Sequence, residues 1–291
     1  MGAPNGRGHE MGERDLDKII DEDLDLPAAP PIAQRVLKVT SDDESSASDL
    51  VKVIGPDSGM TSRILKVANS SLYGHSYEIS TLVRAVSTMG FNAVRNLVIS
   101  ASSRDLLAQF GEHERALWEH SIGTGVAALH IARRLPCVTL DEAFTAGLLH
   151  DVGRAIMISR RRQEMLAVFD DVSSGGDEIL EVEVEAVGHP HTEVGAALLA
   201  KWKFPNALVA SAWLHHNHTA FGMTEEPLRS LLCTVSVANG ICHMLGIGGK
   251  PAEPPGSAVR ALSFIGLTRE ELPALAEEAR ATYEKDHHIF L

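Results

Sequence analysis

The stretch Gly147-Leu148-Leu149-His150-Asp151-Val152-Gly153-Arg154 decides how this chain is read. Counted in helical steps, Asp151 falls in line with Phe144, Leu148, Ala155 and Ile158. An ionised carboxylate on such an apolar stripe is costly unless a cation or a metal compensates it. The chain carries 14 histidines, and their placement relative to this stretch is informative. His120 sits over Thr124, Ala127 and Ile131, another inward-looking row. His191 opens a helix containing Gly195 and Leu198, and the pair His215-His216 closes a helix that starts near Asn206. Each candidate comes from a different helix, which is how side chains converge on a metal inside a helical bundle. Taken singly, each residue has a plainer explanation. A lone histidine on an apolar face is usually a hydrogen-bonded core residue, His189 and His191 flank a proline where capping accounts for them, and His215, His216 and His218 suit an exposed helix end whose dipole favours a cation.

Working outward, the chain reads as all-α, a multi-helix bundle. Amphipathic segments are separated by Gly, Pro and Ser punctuation. Residues 1–14 are Gly-rich and polar and are expected to be disordered, with an N-terminal helical subdomain over 15–110 and a second helical subdomain with C-terminal helices over 111–291. The N-terminal half holds five short helices, with Ser48 and Ser80 as caps, Asn92 as a helix start, and Asn69 ending its helix in the left-handed cap conformation that asparagine tolerates. Ser173 to Gly176 reads as a turn. Leu180 to Glu185 alternates with period two, a strand signal, but no second strand exists to pair with it, so the segment is assigned to helix. Gly246 to Gly256 is a loop, and Thr268 to Asp286, rich in Glu, Ala, Leu and Arg, is helical. Gly147 and Gly153 are expected to permit close helix packing around His150 and Asp151.

Composition narrows the partners. The 291 residues are 44% hydrophobic and 22% charged, ordinary for a globular protein, and 26 Lys plus Arg against 39 Asp plus Glu leave a formal charge of -13. So acidic a chain repels phosphate backbones, which ranks nucleic acid last among partners. The densest basic cluster, Arg160-Arg161-Arg162, is read as a solvated helix end. Three cysteines with no CxxC fit a reduced compartment, and neither a signal peptide nor a run of about 18 apolar residues is found, so cytoplasm is the expected location and no membrane contact is expected.

Over about Leu26 to Gly246 the chain resembles the HDOD domain, the HD-related output domain of bacterial signalling proteins. The resemblance rests on Leu26-Pro27-Ala28-Ala29-Pro30, Ile54-Gly55-Pro56-Asp57, Leu65 to Ser70, Tyr73-Gly74 and Ala85 to Gly90. It continues through Trp118-Glu119-His120-Ser121, Gly147 to Gly153, Glu193 to Ala196, Trp202, Pro205, His215-His216 and Val237-Ala238-Asn239. The wider HD superfamily, including cyclic-dinucleotide phosphodiesterases with an HD-GYP signature, uses such residues to bind metals that activate water against phosphorus. The resemblance implies metal positions at His120, His150, Asp151, His191, and His215 or His216. The last ligand of active members is an Asp, and Asn239 stands there; His243, one turn beyond, is a candidate substitute. Arg154 stands where active phosphodiesterases usually carry Lys, and in an enzyme it would stabilise phosphoryl charge. No Gly-Tyr-Pro follows Asp151, and Asn217 rather than Glu follows the His pair. A divalent metal is expected, with Fe, Mn, Zn, Ni and Mg all open. The leading expectation is a non-catalytic regulatory module acting through signalling-protein partners. The alternatives are a metal-dependent phosphohydrolase of a nucleotide or cyclic dinucleotide, and a sensor that binds a nucleotide without cleaving it.

Overall fold

The computed structural model describes residues 25–40, 45–70, 77–103, 111–171 and 176–289. The expected disorder of residues 1–14, the Tyr73-Gly74 motif and most of the Ser173 to Gly176 turn lie outside these residues. Among the described residues every regular element is a helix. The first five are α1 (Pro31–Thr40), α2 (Ala47–Ile54), α3 (Ser58–Ala68), α4 (Leu82–Met89) and α5 (Phe91–Ser103).

Capping fixes where these helices begin. Asp57 accepts a hydrogen bond from Met60 N at 2.9 Å, and Thr81, with extended φ −130°, accepts one from Arg84 N at 3.2 Å. The caps are Ser46 and Thr81 rather than Ser48 and Ser80, because a cap must hold extended backbone and face the third amide of the first turn. Helix α5 likewise starts at Phe91, one residue before Asn92. Asn69 ends α3 by another route than a left-handed cap. Its φ is −92°, and its side chain accepts from Ile79 N at 2.7 Å while donating to Ile79 O at 2.8 Å, clamping the next chain segment onto the helix end. Asn69→Ala leaves both Ile79 backbone groups unpaired, and we expect a loss of about 1–3 kcal/mol in urea unfolding.

The larger part of the chain is organised around α6 (Glu112–Ala132), every residue of which from Ser121 onward is buried. Against it pack α7 (Leu140–Leu149) and, on another side, α14 (Leu228–Leu245). Between them come α8 (Val152–Arg160), α9 (Arg162–Asp171), α10 (Ile179–Val187), α11 (His191–Lys201), α12 (Asn206–Leu214) and α13 (His218–Met223). Leu180 to Glu185 is thus helical, within α10. Helix α14 is long and apolar enough to cross a membrane by length and composition, but 72% of it is buried inside the protein, as a core helix would be. The chain closes with α15 (Gly256–Phe264) and α16 (Leu272–Asp286), the latter packed back on α6 and α14.

Two glycines let the helices around His150 and Asp151 approach one another closely. A Cβ on Gly147 would lie 2.7 Å from Thr124 O in α6, and one on Gly153 would lie 2.0 Å from His191 O and 2.7 Å from Gly195 N in α11. The first brings α7 onto α6 and the second brings α8 onto α11. Arg160 to Arg162 is only partly a solvated end: Arg162 pairs with the buried carboxylate of Glu114 at the start of α6.

Candidate metal centre

The chain bends at His150-Asp151. Helix α7 ends at Leu149 and α8 begins at Val152, with Asp151 at φ −102°, ψ 15° between them. The apolar stripe that places Asp151 inward therefore runs across two helices, and the break aims the carboxylate into the space between α6, α11, α12 and α14. It is 1% exposed; His150, His191 and His215 are 0%, and His120, His216 and Asn239 are also buried.

Three imidazole Nε2 atoms surround one carboxylate oxygen. His191, His150 and His215 lie 3.1, 3.5 and 3.6 Å from Asp151 Oδ1. None of these approaches has hydrogen-bond alignment at Oδ1, so Asp151 Oδ1 and His150 Nε2 are buried polar atoms without a hydrogen-bond partner among the described residues. Such atoms are rare in folded proteins, and a cation held between these two would satisfy both. The Nε2 atoms of His191 and His215 face one another at 3.4 Å. Two ~2.1 Å metal–nitrogen bonds at a tetrahedral angle span roughly that distance. The other ring nitrogens are already spoken for. His150 Nδ1 donates to Gly147 O at 2.7 Å, His215 Nδ1 to Ala212 O at 2.9 Å, and His191 Nδ1 to Glu183 Oε2 at 2.6 Å. This is the arrangement that fixes a ligating histidine's tautomer and ring plane and turns its Nε2 lone pair inward. The residues present thus fit a cation.

Electrostatics set His191 apart from the other two rings: burial and Arg154 oppose its cation, but Glu183 and Asp151 outweigh them and raise its pKa, so an ion bound there would displace a proton. Burial pushes the imidazolium forms of His150 and His215 down, outweighing the pull of Asp151, so both rings are neutral with a free lone pair. Burial works against the Asp151 carboxylate, but Arg154, His150 and His191 outweigh it and hold the group well below the usual range. Burial likewise opposes the Glu183 anion, but His191 and Arg154 bring it to about 2.

The other Asp151 oxygen has a different neighbourhood. Oδ2 accepts from Arg154 Nη1 at 2.8 Å, and the same guanidinium donates through Nε to Glu183 Oε1 at 3.1 Å. His120 Nε2 is 3.9 Å away. His120 Nδ1 donates to Ile247 O at 3.2 Å, and its Nε2 lies 3.0 Å from the Asn239 side-chain amide. The His243 ring packs 5.2 Å from that of His120, with burial pushing its pKa down to about 3. Of the His215-His216 pair, His215 faces Asp151. His216 turns its Nδ1 to Asp177 at 2.9 Å, and Asp177 in turn accepts from Ser257 N and Oγ at the start of α15. His216 still lies close enough to His191 and His215 to offer them company around an ion.

Sequence reasoning missed two of these residues. Glu183, 0% exposed, orients His191 and anchors Arg154. In helical register it lies in line with Ile179 and Val187, the same acid-on-an-apolar-stripe signal that exposed Asp151. Asp177 is the second, and no pattern around it announces a role.

The HDOD domain profile matches residues 26–218. The chain belongs to the HDOD family. An uncharacterized protein of Treponema pallidum (strain Nichols) is 26% identical over 273 residues, 92% of this chain and 52% of the relative, so this HDOD chain spans about half the length of the curated relative it matches. Among solved structures, a Shewanella amazonensis SB2B protein called a phosphohydrolase by name alone is 22% identical with a TM-score of 0.69, over 94% of this chain and 96% of that one. A Marinobacter aquaeolei VT8 protein, named in the same provisional way for signal transduction, is 18% identical with a TM-score of 0.66, over 95% of this chain and 64% of that one. At these identities the likeness shows the shared all-helical fold.

Proposed function

We propose that this chain is a regulatory HDOD module that holds one transition-metal ion at His150, Asp151, His191 and His215 and does not hydrolyse phosphodiesters. The observation that carries the reading is the pair of unpartnered buried atoms, His150 Nε2 and Asp151 Oδ1, ringed by two further imidazole nitrogens. Three imidazole nitrogens and one carboxylate suit Zn, Fe, Mn or Ni better than Mg, which prefers oxygen and retained water. Such an ion would supply a Lewis acid able to lower the pKa of coordinated water.

The chain's own residues argue that this capacity is not spent on turnover. The Arg154 guanidinium neutralises Asp151 Oδ2 and Glu183 and is 9% exposed, so its charge is committed to the protein rather than offered to a phosphate. The Asn239 amide covers the inward nitrogen of His120, where a carboxylate would have added charge for a second ion. A role in signalling through protein partners follows the family and the name of the Marinobacter neighbour. The phosphohydrolase alternative rests on the name of the Shewanella neighbour and on the inherited His and Asp positions.

The test is metal content of chelator-free protein by plasma mass spectrometry, alongside hydrolysis of bis(p-nitrophenyl) phosphate and of a cyclic dinucleotide. We expect near-stoichiometric transition metal in wild type, background levels in His150→Ala plus Asp151→Ala, and no metal-stimulated hydrolysis in either. Metal-free wild type that takes up none on titration would remove the site. Hydrolysis lost with His150→Ala would replace this reading with the enzymatic one.

A further inference from the structure

A cavity of about 480 Å³ lies where α1, α5 and the end of α11 meet, at the opposite end of α11 from His191. That is the size of a small-ligand pocket. Its chemistry is unlike the rest of this chain. The formal charge of the whole is -13, yet Lys38, Arg95, Lys201 and Lys203 all line the cavity, and none of the described residues lining it is acidic.

Two of these cations have capacity to spare. Arg95 is half-buried, and its Nε donates to Asn96 Oδ1 at 3.1 Å; Nη1 and Nη2 make no hydrogen bond to a described residue. Burial makes that guanidinium charge more costly, with the Asp141 charge offsetting it only in part. Lys203 pairs with no described residue and holds φ +57°, in the left-handed region that favours glycine or asparagine. It stands just past the end of α11, where a glycine would complete the helix at lower cost. A lysine kept in a strained position on the wall of the cavity that a half-buried arginine also lines suggests a use for its charge. Lys201 frames the mouth, its Nζ donating to Leu26 O at 2.6 Å, and the neighbouring Trp202 is locked by its Nε1 bond to Pro27 O at 3.0 Å. The cavity wall is therefore pre-organised, and Gln34, whose amide donates to Ala29 O, adds a polar group to it.

We propose that this cavity binds a small molecule bearing a di- or triphosphate group, held by Arg95 and Lys203. An arginine fork and an ammonium on one cavity wall are the kind of donor set that phosphate oxygens select, and the apolar part of the wall accommodates the body of the molecule. The site joins the first helix of the described chain to the far end of α11, the helix whose first residue is His191.

Isothermal titration with inorganic pyrophosphate, in EDTA so that no metal participates, tests it. Wild type should bind, more weakly as salt is raised. Lys203→Gly should weaken binding by about tenfold while leaving the melting temperature unchanged or higher, because glycine relieves the backbone strain as the charge is lost. Arg95→Gln should weaken it by at least as much. A wild type that gives no heat with pyrophosphate or tripolyphosphate at millimolar concentration overturns the proposal. So does binding that both variants retain at wild-type strength, which would place the anion elsewhere.

Discussion

Gly153→Ala should cost about 3 kcal/mol or more and lower the melting temperature on the order of 10 °C. Its Cβ would sit 2.0 Å from His191 O, 2.7 Å from Gly195 N and 2.9 Å from His191 C, all main-chain atoms of the facing helix. A clash with a side chain can be relieved by a rotamer change. Here α11 itself must retreat, and packed helices yield only as units. Because His191 is the first residue of α11, the retreat also carries its Nε2 away from Asp151 Oδ1, and a site must hold its ligands within about 0.5 Å to work. Metal affinity should therefore fall at least about tenfold even in variant protein that still folds. Gly249→Ala is the control: its Cβ would meet nothing within 4 Å, and its melting temperature and metal uptake should match wild type. A Gly153→Ala protein that melts with wild type would show that α8 and α11 do not rest on each other as described.

The close approach at Gly153 also shows which parts of this molecule can be read from its sequence. Helix periodicity and the acid on an apolar stripe identify Asp151, because the cost of burying a carboxylate is a property of the residue and its neighbours in the chain. The turn at His150-Asp151 escapes the same reading. A stripe that continues at helical spacing from Phe144 to Ile158 looks like one helix, although Asp151 interrupts it. The choice between His215 and His216 stays open in the sequence for a geometric reason. Adjacent residues at a helix end point about 100° apart, and only the packing of α12 decides which one faces the carboxylate. Glu183 is hidden by its context, since Leu180 to Glu185 alternates and draws attention to period two instead of to the one glutamate in line with Ile179. Asn69 obeys a sequence rule for a reason the rule does not contain. It does end a helix, but through a long-range side-chain clamp on Ile79 and not through left-handed backbone. The Arg95 and Lys203 cavity is beyond reach altogether, because its cations come from segments that no local pattern connects.

Arg154→Met should lower stability by about 3–5 kcal/mol in the presence of a chelator, since it leaves Asp151 and Glu183 as two buried carboxylates with one cation removed from between them. Methionine keeps most of the apolar volume of the arginine stem, so the loss reports charge more than packing. Arg154→Lys should fall between the two. A lysine keeps the positive charge, but one ammonium cannot reproduce the fork that reaches Asp151 Oδ2 through Nη1 and Glu183 Oε1 through Nε. The instructive measurement repeats the urea titrations with excess zinc or manganese. If the proposed ion binds beside Asp151, it supplies the positive charge that the variant lacks. Added metal should then stabilise Arg154→Met more than it stabilises wild type, where the guanidinium and the ion compete for the same carboxylate. At a metal concentration about 100 times the dissociation constant the ion contributes about 2.7 kcal/mol, enough to recover much of the deficit. A variant that loses under about 1 kcal/mol in chelator would mean that Asp151 and Glu183 are not carried as anions. A variant that loses the full amount but gains nothing from metal would separate the two ideas: the buried ion triad would stand, and the ion would have no place beside it.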